Sequence, residues 1–314
     1  HEVRGKTVLK PIQGPIGKEV PGDSSVIKPV DNSWKGLALT SDINPYLMEA
    51  NPYHGTMSAV EEVCRNLASV GARIDSLADC LCFGNPQRPE IMGQFKASCE
   101  ALRDAATSID VPYVSGNVSL YNETADGAIP PTPVLMGIGL VDDIRKCVTS
   151  DMKKEGTIWI VGRTKEEMGA SLYYRTLGIE CKNVPTTDFS SFIPRMEQLI
   201  QAIENGEVVA CHDISNGGLA LTIIEMAMSG TGAEINLNSD LRDDIELFSE
   251  SNGRWVVQVA PGFESKFEKR FDFAEKIGDV NDKIIFNKNG EQIAKLQIDK
   301  VREEWTNPIW ERLA

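Results

Sequence analysis

Residues 112–123 read Pro-Tyr-Val-Ser-Gly-Asn-Val-Ser-Leu-Tyr-Asn-Glu, an apolar run that ends in small and amide side chains. Such an ending suits a phosphate or a metal-bound nucleotide. Gly116 lets the backbone approach a ligand without interference from a Cβ, Asn117 offers an uncharged amide oxygen to a hard cation, and Ser119 adds a hydroxyl. A plain strand end followed by turn residues accounts for the same types without any ligand. A second segment, Asp79-Cys80-Leu81-Cys82-Phe83-Gly84-Asn85-Pro86, also ends an expected strand in an acid, a glycine and an amide. Two such ends point to one pocket.

With both segments in place, the chain resembles the synthetase subunit of the phosphoribosylformylglycinamidine synthase family. There a D-C-L-x-F-G-N-P segment precedes V-S-G-N-V-S-L-Y-N-E. The likeness extends through blocks at residues 1–5, 51–55, 169–171, 212–219 and 247–251, in the family's order and over nearly the whole chain. It implies an α/β (α+β) architecture built from two similar halves. Each half has an N-terminal mixed-sheet domain, whose strands join those of its partner in a shared barrel, and a C-terminal layered α/β domain. This chain looks like the second half only.

Residue by residue, the resemblance implies that Asp79 and Gly116 contact ATP, that Asn117 ligates Mg2+, and that Ser119 contacts the formylglycinamide ribonucleotide substrate. No catalytic residue is assigned, because the family keeps its catalytic histidine in the other half, expected upstream of His1. The implied reaction is ATP-dependent conversion of a formylglycinamide to a formylglycinamidine in purine synthesis. ATP activates the amide oxygen as a phosphorylated imidate, and ammonia from a separate glutaminase subunit displaces phosphate. A PurQ-like glutaminase, a small PurS-like subunit and the missing half of the polypeptide are the implied partners. The bland readings are a solvated or capping Asp79 and a Ser119 hydroxyl satisfied by backbone. Rival enzymes of the superfamily are aminoimidazole ribonucleotide synthetase, selenophosphate synthetase and thiamine-phosphate kinase. A non-catalytic scaffold stabilised by bound nucleotide is the alternative of a different class.

His54 and His212 invite a catalytic reading, since histidine titrates near neutrality. His54 stands at an expected helix start, where hydrogen bonding is the simpler role. His212-Asp213 opens an H-D-x-S-x-G-G-L block suited to binding phosphate or to holding its loop. The segment 249–254, with an acid between hydroxyls, receives no role.

The 314 residues carry a formal charge of −14 and are 41% hydrophobic. The length favours two domains. The charge disfavours nucleic acid or an anionic membrane as a partner, although loop amides can bind phosphate in a negative molecule. No apolar run reaches the roughly 18 residues of a membrane span, and no signal peptide is evident. Seven cysteines without C-x-x-C spacing imply a reduced, cytoplasmic protein. Cys80 and Cys82 fall on one face of a strand, as buried small residues or as a soft-metal pair.

Hydrophobic spacing predicts strands at 35–40, 76–81, 113–115 and 134–141, with helices from about 56 to 70 and from 90 to 108. The polar run 150–156 divides the chain into expected domains 1–152 and 153–314. The second opens with a strand at 157–162, then helices near 167 and over 192–203. A strand at 208–210, helix 219–228, strand 255–259 and helix 262–271 follow. The pair Asn289-Gly290 predicts a hairpin turn, and Trp305 and Trp310 read as packing anchors. Strands 35–40 and 134–141 have no evident partners in the sequence, so the chain is expected to form a two-fold homodimer when its other half is absent.

Overall fold

The computed structural model describes residues 6–313, so the 1–5 block lies outside the described residues, as does the side chain of Trp310. The first half of the chain forms a six-stranded mixed sheet. Its strands are β1 (Thr7–Leu9), β2 (Ser25–Ile27), β3 (Gly36–Asp42), β4 (Arg73–Cys82), β5 (Tyr113–Ser119) and β6 (Thr132–Val141). Their spatial order is β1-β2-β3-β6-β4-β5, antiparallel except for the parallel pair β4 and β5. Helices α1 (Pro52–Ser69) and α2 (Pro89–Ile109) cover one face.

Local sequence explains the close fit of α1. The Asn51 side chain accepts the His54 N–H at 3.0 Å and so caps the helix start, while Gly71, with φ +84°, turns the chain after its end. Val60, Val63, Cys64 and Leu67 recur on its inner stripe and are fully buried. Strand β6 meets them with Gly137, where an added Cβ would come within 2.3 Å of Val63 Cγ1. Glycine is needed there because the helix lies directly on the strand.

The expected strands exist, but β4 and β5 run further than the local sequence indicates. Asp79 and the triplet Gly116, Asn117 and Ser119 therefore lie within strands rather than at their ends. The parallel ladder between β4 and β5 continues through them and overrides their turn preference. A second correction concerns pairing. β3 lies between β2 and β6, and β6 between β3 and β4, so neither lacks a partner; among the described residues the open edges are β1 and β5. On the face away from the helices, Leu37, Leu39, Val134 and Ile138 are half-buried, while Met136 and Leu140 are 37% and 49% exposed.

The second sheet has seven strands: β7 (Thr157–Val161), β8 (Val208–Asp213), β9 (Gly232–Leu237), β10 (Trp255–Val259), β11 (Ala274–Asn281), β12 (Ile284–Lys288) and β13 (Glu291–Leu296). Their order is β8-β10-β7-β11-β9-β12-β13. Helices α3 (Phe189–Glu204), α4 (Gly218–Ala227) and α5 (Ile298–Leu313) complete this layer. Asn289 and Gly290 both have positive φ and form the expected hairpin turn.

No helix begins near Glu167. Gly169 donates its N–H to Asn183 O and the Ser249 hydroxyl holds Lys165 O, which pins this stretch as a loop before the short helix Leu172–Thr176. The helix expected over 262–271 shrinks to Glu264–Glu268. Trp305 is 42% exposed; the last helix is anchored instead by buried Ile298 and by Arg302 bonded to Met228 O.

One core runs through both sheets. Trp255 of β10 is fully buried, stacks on Phe192 of α3 with centroids 5.7 Å apart, and donates its indole N–H to Arg65 O of α1. Trp255→Ala removes the largest enclosed side chain at that junction. It is expected to lower unfolding free energy by about 3–5 kcal/mol in urea denaturation. A loss below about 1 kcal/mol would show that the two layers do not depend on this contact.

Candidate functional site

Parallel pairing sets Asp79 beside Gly116, Cys80 beside Asn117 and Cys82 beside Ser119. All four residues singled out from the sequence thus meet at one sheet edge. They do not share one face. Side chains alternate along a strand, and Asp79, paired with buried Leu135, points with Gly116 to the helix-covered side. Asn117 and Ser119 point to the opposite side with Cys80 and Cys82. The single pocket expected from the sequence is therefore an edge with two faces, and a ligand that touches all four must wrap around β5.

Each position has a physical reason. A Cβ on residue 116 would sit 3.0 Å from Asp79 Oδ2, so glycine makes room for the carboxylate against the strand. Burial raises the Asp79 pKa, and this cost favours a cationic or hydrogen-bonding ligand beside it. The Asn117 amide is exposed, with Nδ2 3.4 Å from Cys80 Sγ. Ser119 Oγ lies 3.2 Å from Asn122 Oδ1, and the Asn122 amide donates to Phe83 O at 3.0 Å. The Asn-Glu end of the motif therefore braces the Ser119 hydroxyl.

A second group of side chains lines an open cavity of about 280 Å³ between the two sheets. Asp42 ends β3, Glu62 and Asn66 sit one turn apart on α1, and His212 and Asp213 end β8. The Asn66 amide donates to Asp42 at 3.0 Å, and Arg65 Nε donates to Asp213 at 3.0 Å while its guanidinium also pairs with Glu61. Burial, and then the Asp213 charge, push the Asp42 carboxyl up to about 6. Burial and the nearby Asp42 raise Glu62 well above the carboxylate range. Clustered carboxylates that resist ionisation, with amide oxygens beside them, suit a hard divalent cation. Sequence reasoning passed over Asp42, Glu62 and Asn66; the i, i+4 spacing of Glu62 and Asn66 was the available signal.

His212 is a bridge. Nδ1 lies 2.5 Å from Asp23 Oδ1 and Nε2 lies 3.2 Å from Glu225 Oε2, while the Asp213 N–H donates to Asp23. Burial opposes the charged ring, but Asp23 and Glu225 outweigh it and raise its pKa well above the ordinary histidine value. Both nitrogens are engaged, so the ring holds its loop rather than relaying protons. The Gly217 amide of the turn after it is engaged too. Glu250 Oε1 accepts the Gly217 and Leu172 N–H groups at 2.8 Å, filling the turn that could have met a phosphate. Ser249 and Ser251 bond Lys165 O, so the segment 249–254 is internal bracing.

Comparison with known proteins agrees with this architecture. The AIR synthase related protein N-terminal domain matches residues 21–141, and the AIR synthase related protein C-terminal domain matches residues 182–286. Phosphoribosylformylglycinamidine synthase subunit PurL of Methanothrix thermoacetophila is 36% identical over 99% of the chain and 42% of its own length. The PurL of Thermococcus sibiricus is 41% identical over 96% of the chain and 42% of its own length. Thermotoga maritima PurL, solved with FGAR, superposes with a TM-score of 0.77 at 19% identity, over 90% of this chain and 48% of that one. The same protein has been solved with ADP and as PurLQS, with TM-scores of 0.72 and 0.69 at 19% and 20% identity; these cover 93% and 90% of this chain and 47% of each of those chains.

Fold and domain matches together define a sheet pair of the AIR synthase related type. The chain belongs to the AIR synthase related family. It spans less than half the length of the curated relatives it matches.

The carboxylate cluster predicts a pH dependence. Folding raises the Asp42 pKa from its ordinary value to about 6, so Asp42 contributes stability that is present at low pH and lost as pH rises through about 6. Asp42→Asn is neutral throughout. It should gain on wild type by about 2 kcal/mol as pH rises through about 6, and millimolar Mg2+ should narrow that difference by stabilising wild type. Parallel unfolding profiles for the two proteins would refute the electrostatic account.

Proposed function

We propose that this chain is the C-terminal half of a cytoplasmic phosphoribosylformylglycinamidine synthase, with functional units at residues 1–152 and 153–314. In that role it supplies one wall of the site that converts formylglycinamide ribonucleotide to the formylglycinamidine with ATP and ammonia. The observation that carries this reading is the register of the two motif strands, which sets Asp79 against Gly116, with Asn117 and Ser119 following on the same edge strand opposite Cys80 and Cys82. Seven free cysteines accord with a reducing compartment, and among the described residues no helix is long and apolar enough to cross a membrane.

Each side chain then has a task. Asp79 and Gly116 receive the nucleotide on the helix side of the edge, where glycine admits close approach. The Asn117 amide oxygen suits Mg2+, which takes few protein oxygens and keeps several waters. Mg2+ supplies charge neutralisation for the transferring phosphate. Ser119, braced by Asn122, orients the substrate on the opposite face. The catalytic histidine is expected in the N-terminal half, so the chain positions reactants and does not itself transfer protons. The relatives' names and the PurLQS structure support a PurQ-like glutaminase and a PurS-like subunit as partners.

In the protein completed by its N-terminal half, Asn117→Leu keeps the volume and removes the amide oxygen. Turnover with ATP, formylglycinamide ribonucleotide and ammonium should fall by about 100-fold or more, the scale of losing one contact to developing charge. Normal turnover and unchanged magnesium dependence would remove Asn117 from the site. The chain alone should be inactive under the same assay, and product formation at full rate would overturn the division of labour.

The apolar face carrying Met136 and Leu140 supports a partner sheet, either the N-terminal half or a second copy. The chain alone should therefore form a two-fold dimer, burying more than ~1,000 Å². Sedimentation equilibrium reads the outcome, and a strict monomer at tens of micromolar would show that the sheet is covered in another way.

A further inference from the structure

The side of β4 away from the helices carries a thiol pair that nucleotide handling does not use. Cys80 and Cys82 are both half-buried free thiols, two residues apart on one strand, with their Sγ atoms 3.7 Å apart. Alternation puts both on the face away from the helices, beside Val134 and Thr132 of β6. The Asn117 amide of the neighbouring strand approaches Cys80 Sγ at 3.4 Å. Three donor groups from two strands therefore converge on one patch of an open face.

We propose that Cys80, Cys82 and the Asn117 amide form a binding site for a thiophilic, tetrahedral divalent cation of the zinc class. The spacing of the sulfurs carries this. Zinc–thiolate bonds of about 2.3 Å in tetrahedral geometry require sulfurs about 3.8 Å apart, so the pair already spans one edge of the coordination tetrahedron. The strand backbone fixes that spacing, and little rearrangement is needed on binding. Turning the Asn117 side chain about its last bond presents the amide oxygen as a third donor, and a water at the open β5 edge completes the four. Soft sulfur ligands distinguish this site from the all-oxygen carboxylate cluster, which suits magnesium. The balance is simple: the cation adds two sulfur bonds, and each thiol releases its proton to solvent.

The site stands on geometry alone. One consequence depends on the function proposed above: where Asn117 serves the nucleotide's cation, zinc at the thiol pair withdraws that amide and so opposes nucleotide binding.

Cobalt(II) is the optical probe, because thiolate ligation gives a sulfur-to-cobalt charge-transfer band that oxygen ligands do not. The chain, kept in phosphine reductant, should bind one equivalent with this band and lose it to one equivalent of zinc. Cys80→Ser and Cys82→Ser should each weaken zinc binding by about 100-fold or more, at or above the upper end of the loss typical of a supporting contact. Asn117→Ala should weaken it less and keep the band, while Cys181→Ser should change nothing. Unaltered thermal midpoints for the serine variants confirm that folding is intact. A missing charge-transfer band, or one that persists unchanged in both serine variants, overturns the proposal and leaves the nucleotide reading untouched, since no nucleotide is present in the assay.

Discussion

Arg65 is the interaction on which the rest depends. Its guanidinium is enclosed between the two sheets, paired with Glu61 on its own helix and with Asp213 at the end of β8. A charge buried this deeply is tolerable only with its partners in place, because removing one leaves the other uncompensated at a cost of several kcal/mol. The pairing therefore fixes the rotation of α1 and its distance from the second sheet at once. From that follow the seat of Trp255 against the Arg65 carbonyl and the convergence of Asp42 and Glu62 on the same cavity. One cation among several acids leaves the cluster short of positive charge, a deficit that a hard divalent cation would suit.

The second constraint is the unpaired edge. A parallel edge strand with exposed Val114 and Val118 is normally a liability, since it invites pairing with other chains. Here the same strand carries Gly116, Asn117 and Ser119. A ligand can reach both faces of the motif only if no further strand occupies the outer hydrogen-bonding row at that point. Exposure at β5 is thus tied to the position of the motif residues, whereas the apolar face behind it calls for a covering sheet.

Much of this was legible in the sequence, for reasons that differ by element. Helix α1 announced itself through Asn51, its apolar stripe and Gly71, all of them local signals. The hairpin at Asn289-Gly290 was equally local. Strand lengths were not, because the residues that lengthen β4 and β5 are polar or small and are held by the ladder between them, which only tertiary pairing reveals. Strands β9 and β11 were missed, with Gly232 and Gly278 placed where Cβ atoms would strike the neighbouring backbone. The motif residues were found as a set, yet alternation along one strand divides them between two faces, and that division needed the true strand boundaries.

The acidic cavity shows a deeper limit. Asp42, Glu62 and Asp213 lie far apart in the chain and each reads alone as a solvated acid. The packing of α1 against β8 makes them neighbours, and burial, with their mutual repulsion, raises their proton affinity. Under the function proposed above, the same reasoning accounts for how a chain of net charge −14 would serve an anionic nucleotide. Its negative charge is partly concentrated in a cluster that a divalent cation can neutralise, while the strand edge that meets the ligand offers amide, hydroxyl and backbone groups around the single carboxylate of Asp79. Charge of the wrong sign is thereby either kept from the ligand or converted, through a metal ion, into attraction for it.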